Sequence, residues 1–174
     1  MKRNIIIMNI VTAFFWMSMY TYTPTLPAYA ASIGATATVI GVIGAMYGIM
    51  QIIIRVPLGA IADKTGKNKL MLICGGAALI VSALILSFGE DTDSLILGRF
   101  MAGFAASFWV IISATYADYH SEEMQVKAQG VLNASSSIGK LVAALAGGVI
   151  AQMIGLKGPF YFALVVGTVC LVFV

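Results

Sequence analysis

Three cations, Arg55, Arg99 and Lys140, stand inside long apolar stretches, and these are the residues best placed to do chemistry. A cation at the centre of a membrane span costs about 2.5–3.5 kcal/mol on insertion scales, so it faces a bundle interior or a water-filled cavity and marks a solute or ion path. Lys140 ends a stripe of Asn133, Ser136, Ser137 and Lys140 at i, i+3, i+4 and i+7, the spacing of one helical face. A polar stripe at membrane depth must face protein or water; it either lines a solute path or ties its helix to a neighbour. Tyr47, Gln51 and Arg55 repeat the device at i, i+4 and i+8, although Arg55 is also close enough to one end of its apolar run to snorkel. Arg99 could likewise snorkel toward Asp93 and water.

Asn9, Thr12, Trp16, Tyr20 and Thr23 form a rough aromatic and hydroxyl stripe suited to an amphiphilic ligand; Tyr20 and Tyr22 could equally form an interface belt. No Asp or Glu lies deep in any apolar run, so the candidate path is cationic and favours a solute bearing carboxylate or phosphate.

The elements that hold these residues follow from composition. Of 174 residues, 60% are apolar and 10% charged, where a soluble domain carries about 25% charged residues. No charge occurs between Arg3 and Arg55, from Leu70 to Gly89, from Phe100 to Ala117, or after Lys157. At about 20 residues per crossing, the chain reads as an all-α integral membrane protein, a six-helix transmembrane bundle with spans at 4–29, 38–58, 69–89, 94–117, 128–153 and 158–174. The breaks are Pro24 and Pro27 with the small polar run after them, residues 59–69, an acidic turn of Glu90, Asp91 and Asp93, residues 118–127, and a turn at 155–158. The last apolar run stops at Val174 without an interfacial flank, which reads as a chain cut inside its sixth helix.

Lys2, Arg3, Lys64, Lys67, Lys69 and Lys127 fall on one side and only Lys157 on the other, so the amino terminus is expected inside, in the cytoplasmic (plasma) membrane. A rival reading takes the segment up to Ala30 as a cleaved signal peptide; five spans would remain.

Other classes fare worse. The net charge of +3 is too small and dispersed for a nucleic-acid partner. Cys74 and Cys170 lie in apolar runs, the single His120 is in a loop, and no H-E-x-x-H or buried acid pair exists, so neither a metal, a cofactor nor a membrane-embedded enzyme is expected.

Residues 59–69 read GAIADKTGKNK, which resembles the major facilitator superfamily signature G-x-x-x-D-[RK]-x-G-[RK]-[RK], with Asn68 in place of one basic residue. Arg99 and Gly103 resemble that family's R-x-x-x-G pattern in the fourth span. Gly130, Gly139, Gly147 and Gly148 match the G-x8-G-x3-G-P-x2-G-G register of its antiporter branches, where the central Gly-Pro is here Ala143-Ala144. What remains is a small-residue face that lets helices approach closely.

The resemblance implies one half, the amino-terminal one, of a major-facilitator-type twelve-helix secondary transporter. It would move a small solute, possibly anionic or amphiphilic, by alternating access with a proton as coupling ion, opposite a carboxy-terminal six-helix half. Tyr20, Tyr47, Gln51, Arg99, Asn133, Ser137 and Lys140 are then expected along the solute path. Gly59, Asp63, Lys64, Gly66 and Lys67 would form the gating loop, with Asp118 able to latch onto Lys67. Spans three and six, without buried charge or amide, are expected outermost. The alternative is a non-transporting membrane fragment or structural subunit.

Overall fold

The computed structural model describes residues 2–174, which form helices and turns without strands among the described residues. The first crossing is broken: α1 (Lys2–Thr21) and α2 (Leu26–Ser32) flank the proline-bearing elbow 22–25. Pro27 sits in the first turn of α2, where its missing N–H costs nothing. Next come α3 (Ala37–Thr65) and α4 (Asn68–Phe88). The fourth crossing is also broken, into α5 (Thr92–Ser107) and α6 (Trp109–Ala117), with Phe108 between them. A single 3-10 turn, Glu122–Met124, leads into α7 (Gln125–Ile154), and α8 (Gly158–Phe173) closes the chain. Five helical runs, 2–32, 37–65, 68–88, 92–117 and 122–154, are long and apolar enough to cross a membrane, and 158–173 is a shorter apolar helix.

The ends are set by local chemistry. Thr36 accepts the Val39 N–H at 3.4 Å, and Asp91 accepts the Ser94 N–H at 2.7 Å, each capping a helix start. Ser94, through its side chain and then its backbone N–H, holds the Asp91 carboxyl below the ordinary carboxylate range. A depressed folded-state value contributes stability present above the unfolded pKa, about 3.9, and lost as pH falls through the folded one. Thermal midpoints measured from pH 6 downward are therefore expected to fall less steeply in Asp91→Asn, which keeps a capping oxygen without the titration.

The second crossing is longer than the sequence indicates. Ala60, Ile61 and Ala62 carry the helix on through Thr65, so the signature loop shrinks to Gly66 and Lys67, with Gly66 at φ +61°. Gly59, Asp63 and Lys64 lie on the last two turns of α3 rather than in a loop. Pro57 is accommodated within α3. Arg55 lies ten residues short of Thr65, about 15 Å along the axis.

The helices pack in the order α3, α5, α4, α8, α1, α7. This order has an internal symmetry: exchanging the first three crossings with the last three maps α1 against α7 onto α5 against α3, α1 against α8 onto α5 against α4, and α4 against α8 onto itself. Three crossings reverse direction, so the two triplets are inverted repeats. Both broken crossings occupy equivalent places, each with its break toward its C-terminal end. Position in the row also decides exposure. The terminal helices α3 and α7 are the least covered, whereas α4 is covered over more of its length. Within this bundle, then, the second and fifth crossings present the open apolar faces.

Candidate functional site

Two cations face aromatic rings, each beside a glycine that permits the approach. A methyl group on Gly139 of α7 would overlap the Ala13 carbonyl of α1, so the two backbones touch. That contact carries Lys140, the next residue, onto Trp16: its Nζ lies 4.0 Å from the Trp16 ring centre and 5.3 Å from that of Tyr20. Trp16 also packs edge-on against Trp109 at 5.5 Å and Tyr20 at 5.8 Å. In the symmetric position a methyl on Gly103 of α5 would overlap the Tyr47 carbonyl of α3. Arg99, one turn earlier on the same face, then lies over the Tyr47 ring at 4.4 Å. Such pairs contribute about 0.5–2 kcal/mol, more when desolvated. The two interfaces are one device with cation and ring exchanged between partners.

Lys140 sits at the midpoint of α7, half-buried, with neither a hydrogen bond nor an acid partner among the described residues. Tyr20 and Tyr47 border the same core cluster, joining the Lys140 and Arg99 sites through aromatic surface. Gln51 Oε1 accepts from Arg55 Nη2 at 2.9 Å, on an open face of α3 that also carries Gly48 and Ile52. Asn133 and Ser137 are exposed on the open side of α7, whereas Ser136 is buried and donates to the Asn133 carbonyl at 2.8 Å. The stripe read from the sequence is therefore divided: Ser136 belongs to the α1-facing side, and Asn133, Ser137 and Lys140 to its border and the open side.

Several expectations are corrected by the geometry. Asn9 is spent on structure: its Nδ2 donates to the Tyr116 hydroxyl at 2.8 Å and its Oδ1 accepts from Ser135 at 2.7 Å, which ties α1, α6 and α7 together. Arg99 does not snorkel; it is 7% exposed. The Lys67 to Asp118 latch is not formed, since the one ion pair among the described residues joins Lys157 to Glu90 at 3.2 Å. Glu90 raises the Lys157 amine above its ordinary value, yet both groups meet solvent, so Glu90→Gln is expected to cost no more than about 1 kcal/mol in denaturant unfolding. Gly147 packs against the Thr21 carbonyl, but Gly130 and Gly148 have nothing within 4 Å of an added methyl and make no helix contact in this bundle. Trp109, which completes the ring cluster around Trp16, was missed in the sequence. Its signal was rarity: it is one of only two tryptophans, both in apolar runs.

This arrangement of inverted triplets, a short glycine turn after the second crossing, and intramembrane cations on aromatic rings defines a transporter-type bundle. Residues 8–174 match the Major Facilitator Superfamily, and the chain belongs to that family. It is 25% identical over 163 residues to the uncharacterized MFS-type transporter MJ1560 of Methanocaldococcus jannaschii, covering 93% of this chain and 42% of that protein. It is 26% identical over 154 residues to the inner membrane transport protein YajR of Escherichia coli (87% and 33% covered), and 27% identical over 165 residues to the quinolone resistance protein NorA of Staphylococcus aureus (94% and 42% covered).

The fold matches the crystal structure of the human organic anion transporter MFSD10 (TETRAN), with a TM-score of 0.81 and 18% identity over 99% of this chain and 46% of that one. It also matches the POT family transporter PepTSo, with a TM-score of 0.79 and 18% identity over 98% and 36%. The chain spans less than half the length of each of these proteins. The matched family and the relatives named MJ1560 and YajR are membrane transporters by name.

Proposed function

We propose that this chain is the amino-terminal six-span half of a proton-coupled secondary transporter that moves a small anionic or amphiphilic solute by alternating access. The observation that carries this reading is Lys140, an unpaired amine at mid-helix on the open side of the bundle, floored by Trp16 and Tyr20. An amine beside aromatic faces receives a solute with an anionic head and an apolar body, the head pairing with the charge and the body covering the rings. Relatives named for quinolone resistance and for organic anion transport support that chemistry.

The same residue supports proton coupling. Arg55 and Arg99 cannot give up a proton, so among the three intramembrane cations Lys140 alone can alternate between a charged, solute-holding form and a neutral one. The lysines at the α1 start, the α3–α4 turn and the α7 start support an inward amino terminus in the cytoplasmic membrane. The uncovered faces of α3 and α7 are the surfaces the opposing carboxy-terminal half would cover, completing the midplane site.

The test is uptake of an aromatic carboxylate, benzoate, into vesicles carrying an imposed pH gradient, by this chain alone and paired with a carboxy-terminal half. Gradient-driven uptake only by the pair supports the reading. Uptake by the six-span chain alone contradicts it, and failure of both supports a structural membrane subunit.

Gating makes a separate expectation. Asp63 lies exposed at the end of α3 without a partner among the described residues. Asp63→Asn is expected to slow turnover about tenfold with solute affinity changed less than twofold, measured by uptake rate against equilibrium binding. A binding defect without a rate defect would remove Asp63 from the gate.

A further inference from the structure

Arg99 lines a second cavity, distinct from the open Lys140 side. The α1–α2 elbow, α2, the first turns of α3 and α5 border a half-open cavity of about 180 Å³, walled by Thr23, Leu26, Pro27, Ile43, Gly44 and Arg99. Arg99 as a residue is 7% exposed within this chain alone. Its Nε is buried without a partner, and no described hydrogen bond or ion pair reaches any of its nitrogens. Tyr47 does not satisfy it: the ring covers a face of the guanidinium, whereas the five N–H donors lie in its plane. A permanently charged fork with unmet in-plane donors, opening on a small and mostly apolar cavity, calls for a bidentate anion with a short apolar tail.

We propose that this cavity is a binding site for a short-chain monocarboxylate. The carboxylate takes the in-plane donors of Arg99, and the alkyl chain lies among Leu26, Pro27, Ile40 and Ile43. An apolar cavity of about 150 Å³ takes a six-carbon ring, so 180 Å³ has room for a carboxylate with a tail of about three to five carbons. The site lies under the break in the first crossing, so occupancy would hold α2 against α3 and α5. Part of the ligand's binding energy would then favour the conformation seen here.

The experiment is thermal unfolding of the protein in nanodiscs, titrated with acetate, butyrate, hexanoate and decanoate against sodium chloride at fixed ionic strength. Butyrate or hexanoate is expected to raise the midpoint saturably, by about 5 °C at a hundredfold excess over Kd, with acetate and decanoate weaker. Two variants are expected to abolish the shift. Arg99→Gln removes the fork. Gly44→Leu adds bulk at a cavity-lining position where an added Cβ meets nothing within 4 Å, and an unfolding midpoint within a few degrees of the unaltered protein, checked first, keeps the site testable should Arg99→Gln fail to fold. Lys140→Ala is expected to keep the shift.

The proposal is overturned by no saturable shift in the unaltered protein, by an equal shift in Gly44→Leu, or by a shift lost in Lys140→Ala and kept in Gly44→Leu. A response to chloride with none to butyrate would show a site for inorganic anions and likewise overturn it. The measurement reads binding and not transport, so its failure leaves the transport reading standing.

Discussion

Lys140→Ala, in the protein paired with its carboxy-terminal half, is expected to reduce uptake of benzoate ten- to a hundredfold while leaving the thermal midpoint within about 2 °C. The two halves of that expectation have separate causes. A charged group that pairs with an anionic solute contributes about 1.5–3 kcal/mol through a charge-assisted contact, which is the factor of ten to a hundred. The fold does not need the amine. No hydrogen bond or acid depends on it among the described residues, so its removal strands no buried partner and forfeits only its stacking on Trp16 and Tyr20. Lys140→Arg should keep the charge but not the proton exchange: it is expected to retain solute binding and lose the response to an imposed pH gradient. Unchanged uptake in Lys140→Ala would make the amine a structural contact and nothing more.

Gly147→Ala is expected to have the largest effect on stability, and Gly148→Ala almost none. The two glycines are neighbours on α7 and differ only in what they face. At Gly147 a methyl would run into the Thr21 carbonyl, a backbone group at the end of α1 that cannot rotate away as a side chain could. Overpacking of this kind costs about 1–3 kcal/mol, offset in part by the higher helix propensity of alanine. At Gly148 the methyl meets nothing within 4 Å, and only the propensity gain remains. Thermal unfolding in detergent, monitored by helical circular dichroism, should show a midpoint several degrees lower for Gly147→Ala and equal or higher for Gly148→Ala. Similar behaviour of the two variants would mean that α1 and α7 are not held backbone to backbone.

That pair of glycines also shows where sequence reading reached its limit. The G-x8-G register was visible, but whether a given glycine meets a neighbour depends on how α7 is rotated against α1, and the register alone does not set that angle. Spans were legible because hydrocarbon permits so few charges that their gaps outline the helices. Helix interruptions within a span were less so. The elbow at 22–25 carries Pro24, with Pro27 just beyond it, but the break at Phe108 has no Gly or Pro to mark it. The α3 end was misplaced because Gly59 and Asp63 look like loop residues, while the run Ala60, Ile61, Ala62 favours continuing the helix.

The inverted repeat was invisible at the level of residue identity. Gly139 with Lys140 over Trp16, and Gly103 with Arg99 over Tyr47, are equivalent contacts in which the cation has moved from one partner helix to the other. These two contacts match as interfaces and not residue by residue. Motif reading recovered Arg99 and Gly103 as a unit, but attributed the arginine to a shared solute path. The cavity that Arg99 lines, between the α1–α2 elbow and α3, is a feature the motif does not indicate.

Alternating access requires a solute site reached in turn from the two sides of the membrane. Counterflow tests this most directly, because it needs no pH gradient and isolates the exchange step: vesicles bearing the paired protein are loaded with unlabelled benzoate and diluted into labelled benzoate at equal pH on both sides. A transient accumulation of label above equilibrium, lost in Lys140→Ala, is the predicted result. Simple equilibration of label, at the rate of vesicles without protein, would contradict it.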